Sequence, residues 1–154
     1  MALNEDNRHG HPARRADSSG ERTETTMTSG ISWDSLPTVF EAPGTEIRRQ
    51  DHGGMAVCRI RLEAGVRTDP VFAGLPDDRC PYPHWGHIIS GSMRVHGPDG
   101  VHEFASGESY YWAPGHNLEA LTELEYLEVT PAKDYDALMS HVRCAAAQGV
   151  SAPS

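Results

Sequence analysis

The densest chemistry in the chain lies in one stretch, Cys80-Pro-Tyr-Pro-His84-Trp-Gly-His87-Ile-Ile-Ser-Gly91. It sets a thiol and two imidazoles within eight residues. Thiolate and imidazole are the commonest ligands for soft and borderline divalent metals. Imidazole also moves protons near neutral pH, and His87 is the candidate for that catalytic role. The Ile88-Ile89 pair and the Ser90-Gly91 turn mark a buried strand, so these polar groups sit at the mouth of a sheet. The stretch reads as one wall of a small-molecule pocket inside a β-barrel. His87 follows His84 by three residues, and an extended strand turns the two to opposite faces. A bulge at Gly86 would bring His87 back to the pocket. Arg79, beside Cys80, favours a thiolate there. The structural alternatives are a buried free cysteine and histidines that merely satisfy hydrogen bonds.

The surrounding chain supplies elements that can position such a wall. Residues 1 to about 30 are rich in Ser, Thr, Gly, Arg and Glu and have few large apolar side chains, so they are expected to form a disordered tail outside the fold. His9 and His11 in it are expected to be solvated, and Met27 offers an alternative start. Residues 31–150 are expected to form one domain. Ile31 to Phe40 reads as a lid or short edge element. Met55 to Glu63 alternates strictly, with Ala56, Cys58, Ile60 and Leu62 on the apolar face, which is the period of a half-buried strand and places Cys58 in the core. Val66 to Leu75 reads as a loop or short strand. Met93–His96 and Val101–Phe104 flank Gly97-Pro-Asp-Gly100 and form a hairpin, with His96 and His102 facing each other across it. Ser109–Trp112, Leu118–Leu121 and Leu124–Val129 follow as strands. Short strands divided by Gly and Pro about every ten residues indicate an all-β sandwich or barrel. A helix over 132–148, opened by Thr130-Pro131, carries Tyr135, Leu138, Met139 and Val142 as an apolar stripe and is expected to pack on the outside of the barrel.

Composition removes several functions. The 154 residues carry 13 Lys and Arg against 22 Asp and Glu, a formal charge of −9, which disfavours nucleic acid. No apolar run approaches the roughly 20 residues of a membrane span, and no leader-like apolar region follows the N-terminus, so a cytoplasmic location is expected. Three cysteines at irregular spacing give no disulfide framework. Phosphate-binding glycine loops, a Gly-x-Ser-x-Gly elbow and Cys-x-x-Cys are all missing. Asp77-Asp78 reads as a turn, and Glu123, Glu125 and Glu128 as a solvated strand face. Tyr82, Trp85, Met93, Tyr110 and Trp112 are candidates for the substrate-binding wall, suited to a planar or partly apolar ligand.

Gly74-Leu-Pro-Asp-Asp-Arg-Cys80-Pro-Tyr-Pro-His84-Trp-Gly-His87 with Ile-Ile-Ser-Gly91 resembles the first sequence block of the cupins, in particular a branch of small single-domain bacterial cupins with a Cys-x-x-x-His-Trp-Gly signature. Gly107-Glu-Ser-Tyr-Tyr-Trp-Ala-Pro-Gly-His116 resembles the second block. The resemblance spans roughly residues 45 to 135. It implies a cupin-type jelly-roll β-barrel with a C-terminal helix. A typical cupin offers His-x-His and then a Glu seven residues before the glycine of the first block; here that glutamate slot holds His84, and the upstream histidine slots fall near Asp78 and Cys80. His116 directly follows Pro114-Gly115, about two residues early, which in a strand preserves its facing. The resemblance therefore implies a rearranged metal set of His84, His116 and Cys80 around one divalent transition metal, zinc, iron, manganese or nickel. The expected activity is a metal-dependent isomerase, cyclase or lyase acting on a small organic molecule, with an iron oxygenase less favoured. The competing expectation is a metal-free small-molecule-binding cupin, a sensor or accessory protein. A homodimer through the Trp33 segment is a further expectation.

Overall fold

The computed structural model describes residues 28–149. The expected tail, with His9 and His11, lies outside the described residues except for 28–30, as does Val150. The described residues form strands β1 (Thr38–Ala42), β2 (Thr45–His52), β3 (Met55–Leu62), β4 (His84–Ser90), β5 (Ser92–Gly97), β6 (Gly100–Ala105), β7 (Ser109–Trp112), β8 (Asn117–Ala120) and β9 (Leu124–Pro131), with helices α1 (Asp69–Phe72) and α2 (Ala132–Ala147). A six-stranded sheet runs in the order β1-β2-β3-β9-β4-β7, and a three-stranded sheet in the order β6-β5-β8. Every pairing between these strands is antiparallel.

Alternation explains the central strands. In β3 the buried set is Ala56, Cys58, Ile60 and Leu62, as their spacing predicts. In β9 it is Leu124, Tyr126, Glu128 and Thr130. The hairpin β5–β6 closes at Gly97↔Gly100 over Pro98-Asp99. Its register sets Val95 opposite His102 and His96 opposite Val101, so the two histidines are not partners; His102 Nε2 instead meets Asp99 Oδ2 at 3.1 Å.

The sequence reading has no strand between Gly44 and Met55, where the structure places β2. Only Ile47 of β2 is buried, so it lacks an apolar period. Its charges are paired instead: Arg48 Nε donates to Glu46 at 2.5 Å and Arg49 Nε to Asp51 at 2.6 Å. The usable signal is Gly53-Gly54, whose φ values of 57° and 79° form the two-residue hairpin turn that joins β2 to β3. Val66–Leu75, read as loop or short strand, contains the one-turn helix α1.

Helix α2 also departs from expectation. It packs over the inner face of the large sheet, not the outside of the barrel. Three strands cannot cover six, and the inner side chains Ile47, Ile60 and Leu62 need another layer. Tyr135, Leu138, Met139 and Val142 of α2 supply it, lining the same cavity as those strand residues. Polar tethers hold the helix there. Arg49 Nη1 donates to Asp136 at 2.7 Å and its guanidinium lies 5.1 Å from the Tyr135 ring centre; His141 Nε2 donates to the Ala73 carbonyl at 2.9 Å. Thr130 belongs to β9 and makes no side-chain cap; Pro131 is the N-cap residue. Among the described residues no helix is long and apolar enough to cross a membrane.

Candidate metal centre and its cavity

Three local features bring Cys80, His84 and His116 together. Cys80 and His116 lie opposite each other in a short antiparallel bridge, with Cys80 N donating to His116 O at 2.9 Å and Gly115 N to Cys80 O at 2.7 Å. The Pro114-Gly115 turn that allows this return puts Gly115 at φ 93°, where a side chain would be strained. His84 opens β4 opposite Trp112 of β7. The result is a cluster in which one ligand atom from each of Cys80, His84 and His116 lies within 4.8 Å of the others.

All three side chains are buried: Cys80 is 0% exposed and both histidines 2%. Cys80 Sγ stands 3.2 Å from His84 Nε2, and the two imidazole centres are 5.0 Å apart. Each ring is anchored by its other nitrogen. His116 Nδ1 donates to the Ala113 carbonyl at 2.7 Å, and His84 Nδ1 is hydrogen-bonded to Thr130 Oγ1. The carbonyl contact makes Nδ1 of His116 the protonated nitrogen and leaves its Nε2 as the lone pair, the arrangement that metal-binding histidines use, while the Thr130 contact orients the His84 ring. Burial pushes the His84 pKa well below its usual value, and the neighbouring His116 lowers it further; burial lowers His116 too, partly offset by its bond to Ala113. Both are therefore neutral at pH 7, as ligands must be.

Cys80 departs from the thiolate expectation. Burial pushes its thiol up to about 12. Arg79 does not counter this, because its guanidinium reaches away to the carbonyls of Gly97 and Gly115, each at 3.2 Å. The thiol keeps its proton until something displaces it. With a sulfur and two imidazole nitrogens converging, the donor set fits a soft or borderline divalent ion.

Beside the cluster opens a cavity of about 100 Å³. His84, His116, Trp112 and Glu128 line it together with mainly apolar side chains of β1, β2, β3, β8, β9, α1 and α2. Glu128 is the residue the sequence reading misplaced on a solvated face. It is 5% exposed, its Oε1 stands 3.5 Å from His84 Nδ1, and burial raises its pKa to about 8. At neutral pH this is a contact between two uncharged groups, not an ion pair. The available signal was the alternation itself: counting by twos from Leu124 and Tyr126 reaches Glu128. Glu125, on the opposite face, does pair outward, with Arg59 at 2.5 Å.

The remaining candidates scatter. His87 lies half-buried on the outer face with Nδ1 2.9 Å from Ser109 Oγ. The bulge that would have turned it inward is missing, since the register runs regularly through Trp85↔Val129, Gly86↔Glu128 and His87↔Leu127 and shifts only between Ile88 and Ser90. Gly86 has a different purpose: a Cβ there would stand 1.9 Å from the Leu127 carbonyl and 2.3 Å from the Tyr110 hydroxyl. Trp85 is 44% exposed outside, its ring centre 5.3 Å from that of Tyr111. Met93 is wholly buried in the core, Tyr82 packs half-buried against it, and Tyr110 stacks behind Trp112 at 4.0 Å; none of these lines the cavity. Of the five proposed wall residues the structure brings only Trp112 to the histidines.

Among solved structures the chain is similar to an RmlC-like cupin from Shewanella frigidimarina, with a TM-score of 0.54 and 10% identity over 71% of this chain and 96% of that one. The fold is a cupin jelly roll. KdgF from Halomonas is similar at a TM-score of 0.53 and 16% identity, covering 71% of this chain and 99% of that one. The polyketide cyclase RemF from Streptomyces resistomycificus scores 0.49 at 17% identity, over 68% of this chain and 80% of that one. No protein-family model and no curated protein matches the sequence. In this cupin barrel a Cys/His/His cluster capable of holding a metal occupies the interior.

Proposed function

We propose that this cupin is a metal-dependent enzyme acting on a small organic molecule in the helix-roofed cavity, of the isomerase, cyclase or lyase kind. The observation that carries the reading is the convergence of Cys80, His84 and His116 within 4.8 Å, with both rings already oriented through Nδ1. These three residues would hold one divalent ion. A thiolate in place of the carboxylate of the non-haem iron set favours zinc over iron or manganese. Bound there, the ion supplies Lewis-acid polarisation of a substrate oxygen. The chain's own contribution to proton movement comes from Glu128, whose carboxyl faces the cavity and holds its proton at neutral pH, and not from the outward His87. Isomerisation, cyclisation and elimination each require a proton to leave one substrate atom or reach another. The apolar walls exclude water from that transfer, and Trp112 borders the reacting end.

The test is metal content. Protein purified without added metal, then exposed to zinc, is expected to hold close to one equivalent by inductively coupled plasma mass spectrometry, and His84→Ala to hold none. Wild-type protein that takes up no metal would end the enzyme proposal. A metal-free binding module is the second reading, supported by the raised Cys80 thiol, which resists the deprotonation that a metal demands. A thermal melt with zinc and with chelator separates them, since only the first reading has zinc raise the melting temperature.

A further inference from the structure

The cavity is lined mainly by apolar side chains. Glu128 lines it with a carboxyl that makes no hydrogen bond to any described residue and stands 3.5 Å from His84 Nδ1. An unpartnered carboxyl costs stability in an apolar surround and is best explained by a group that visits it. Most of the lining is hydrocarbon, with Ile60 from β3, Leu118 from β8, Phe72 from α1, and Met139 and Val142 from α2, and the hydroxyl-bearing side chains on it are Thr45, Thr68, Tyr126 and Tyr135. The only cationic side chain on the lining is Arg67, half-exposed and paired to Asp69. A sugar or a sugar phosphate would leave most of its hydroxyls against carbon and its anionic group without an unpaired cation on the described lining. Such mismatches are rejected far more strongly than a missing methylene.

We propose that the cavity takes a compact, uncharged, mainly apolar alcohol or phenol, its single hydroxyl against Glu128 and its hydrocarbon body beneath α2. A hydroxyl both donates and accepts, so it matches this carboxyl in either protonation state. The inference rests on the reading of the cavity as the ligand site, and it holds whether or not the neighbouring cluster carries zinc.

Phenol and toluene test it, because they share a shape and differ in one hydroxyl. In a plain apolar cavity toluene binds tighter, since burying an unpartnered hydroxyl is penalised. Titration calorimetry on the full chain, metal-free and zinc-loaded, is expected to show phenol binding about threefold to tenfold tighter than toluene and glucose not binding. Glu128→Leu is expected to invert the order of phenol and toluene. Val142→Trp, which fills the cavity from α2, is expected to abolish binding of both while circular dichroism stays unchanged. Toluene tighter than phenol in the wild-type protein, or glucose as tight as phenol, overturns the proposal, and the wild-type comparison holds even if a variant fails to fold. Phenol preference without zinc uptake removes the metal reading and leaves this one standing. Zinc uptake with no phenol binding does the reverse.

Discussion

The two faces of β4 carry nearly the same residues to opposite ends. Inside, His84, Gly86 and Ile88 meet the cluster, the Tyr110 hydroxyl and the core; outside, Trp85, His87 and Ile89 meet solvent and Ser109. His84 and His87 are the same residue type three positions apart. Burial keeps the inner ring neutral and two contacts hold its orientation, whereas the outer ring hydrogen-bonds a surface serine. Position on the pleat, not residue type, decides which imidazole can be a ligand. β9 repeats the lesson with carboxylates, Glu125 pairing outward with Arg59 and Glu128 facing the cavity.

The sharpest way to break this comparison is to exchange the two faces chemically. His84→Ala is expected to lose metal completely and His87→Ala to keep the full equivalent, both read by mass spectrometry; equal loss would show that the inner face is not special. Gly86→Ala comes next. With a Cβ 1.9 Å from the Leu127 carbonyl, a backbone atom that cannot swing aside, it is expected to cost about 3 kcal/mol or more in denaturant unfolding. A cost below about 1 kcal/mol would mean that β4 and β9 separate easily there.

The carboxylate pair predicts a smaller, pH-dependent effect in metal-free protein. The Glu128 carboxyl has a reference pKa of 4.5 and rises in the folded chain to about 8, so the folded state holds the proton between those values. The Glu128 contribution to stability therefore falls as pH climbs through that window, because its carboxyl binds fewer protons in the unfolded chain; below pH 6.5 the lowered His84 and His116 oppose it, so the net fall is read between pH 6.5 and 8. Glu128→Gln is expected to flatten the fall and to exceed the wild type in stability at pH 8. Least of all, His87→Ala is expected to shift stability by no more than about 0.5 kcal/mol, as a substitution on the outer face away from the core should. A larger shift would assign the His87–Ser109 contact a structural weight the comparison denies it.

Much of the barrel could be read from period and punctuation. The alternation of Ala56, Cys58, Ile60 and Leu62 is a property of a pleated chain with one wet face, so it survives without knowledge of what lies opposite. The Pro98-Asp99 hairpin and the helix with Tyr135, Leu138, Met139 and Val142 carry equally local signals. β2 was hidden because pairing and charge hold it, and its Gly53-Gly54 turn was the only local mark.

The sequence by itself determined that Cys80, His84 and His116 could meet, since their motifs, spacing and extended backbone are all encoded along the chain. Only the tertiary structure decided that they do, that Glu128 faces the same cavity, and that α2 roofs that cavity and does not lie outside the barrel. The reason is that pleat and helix periods say which residues share a face, whereas the neighbour that covers a face is chosen by apolar area left over when six strands meet three.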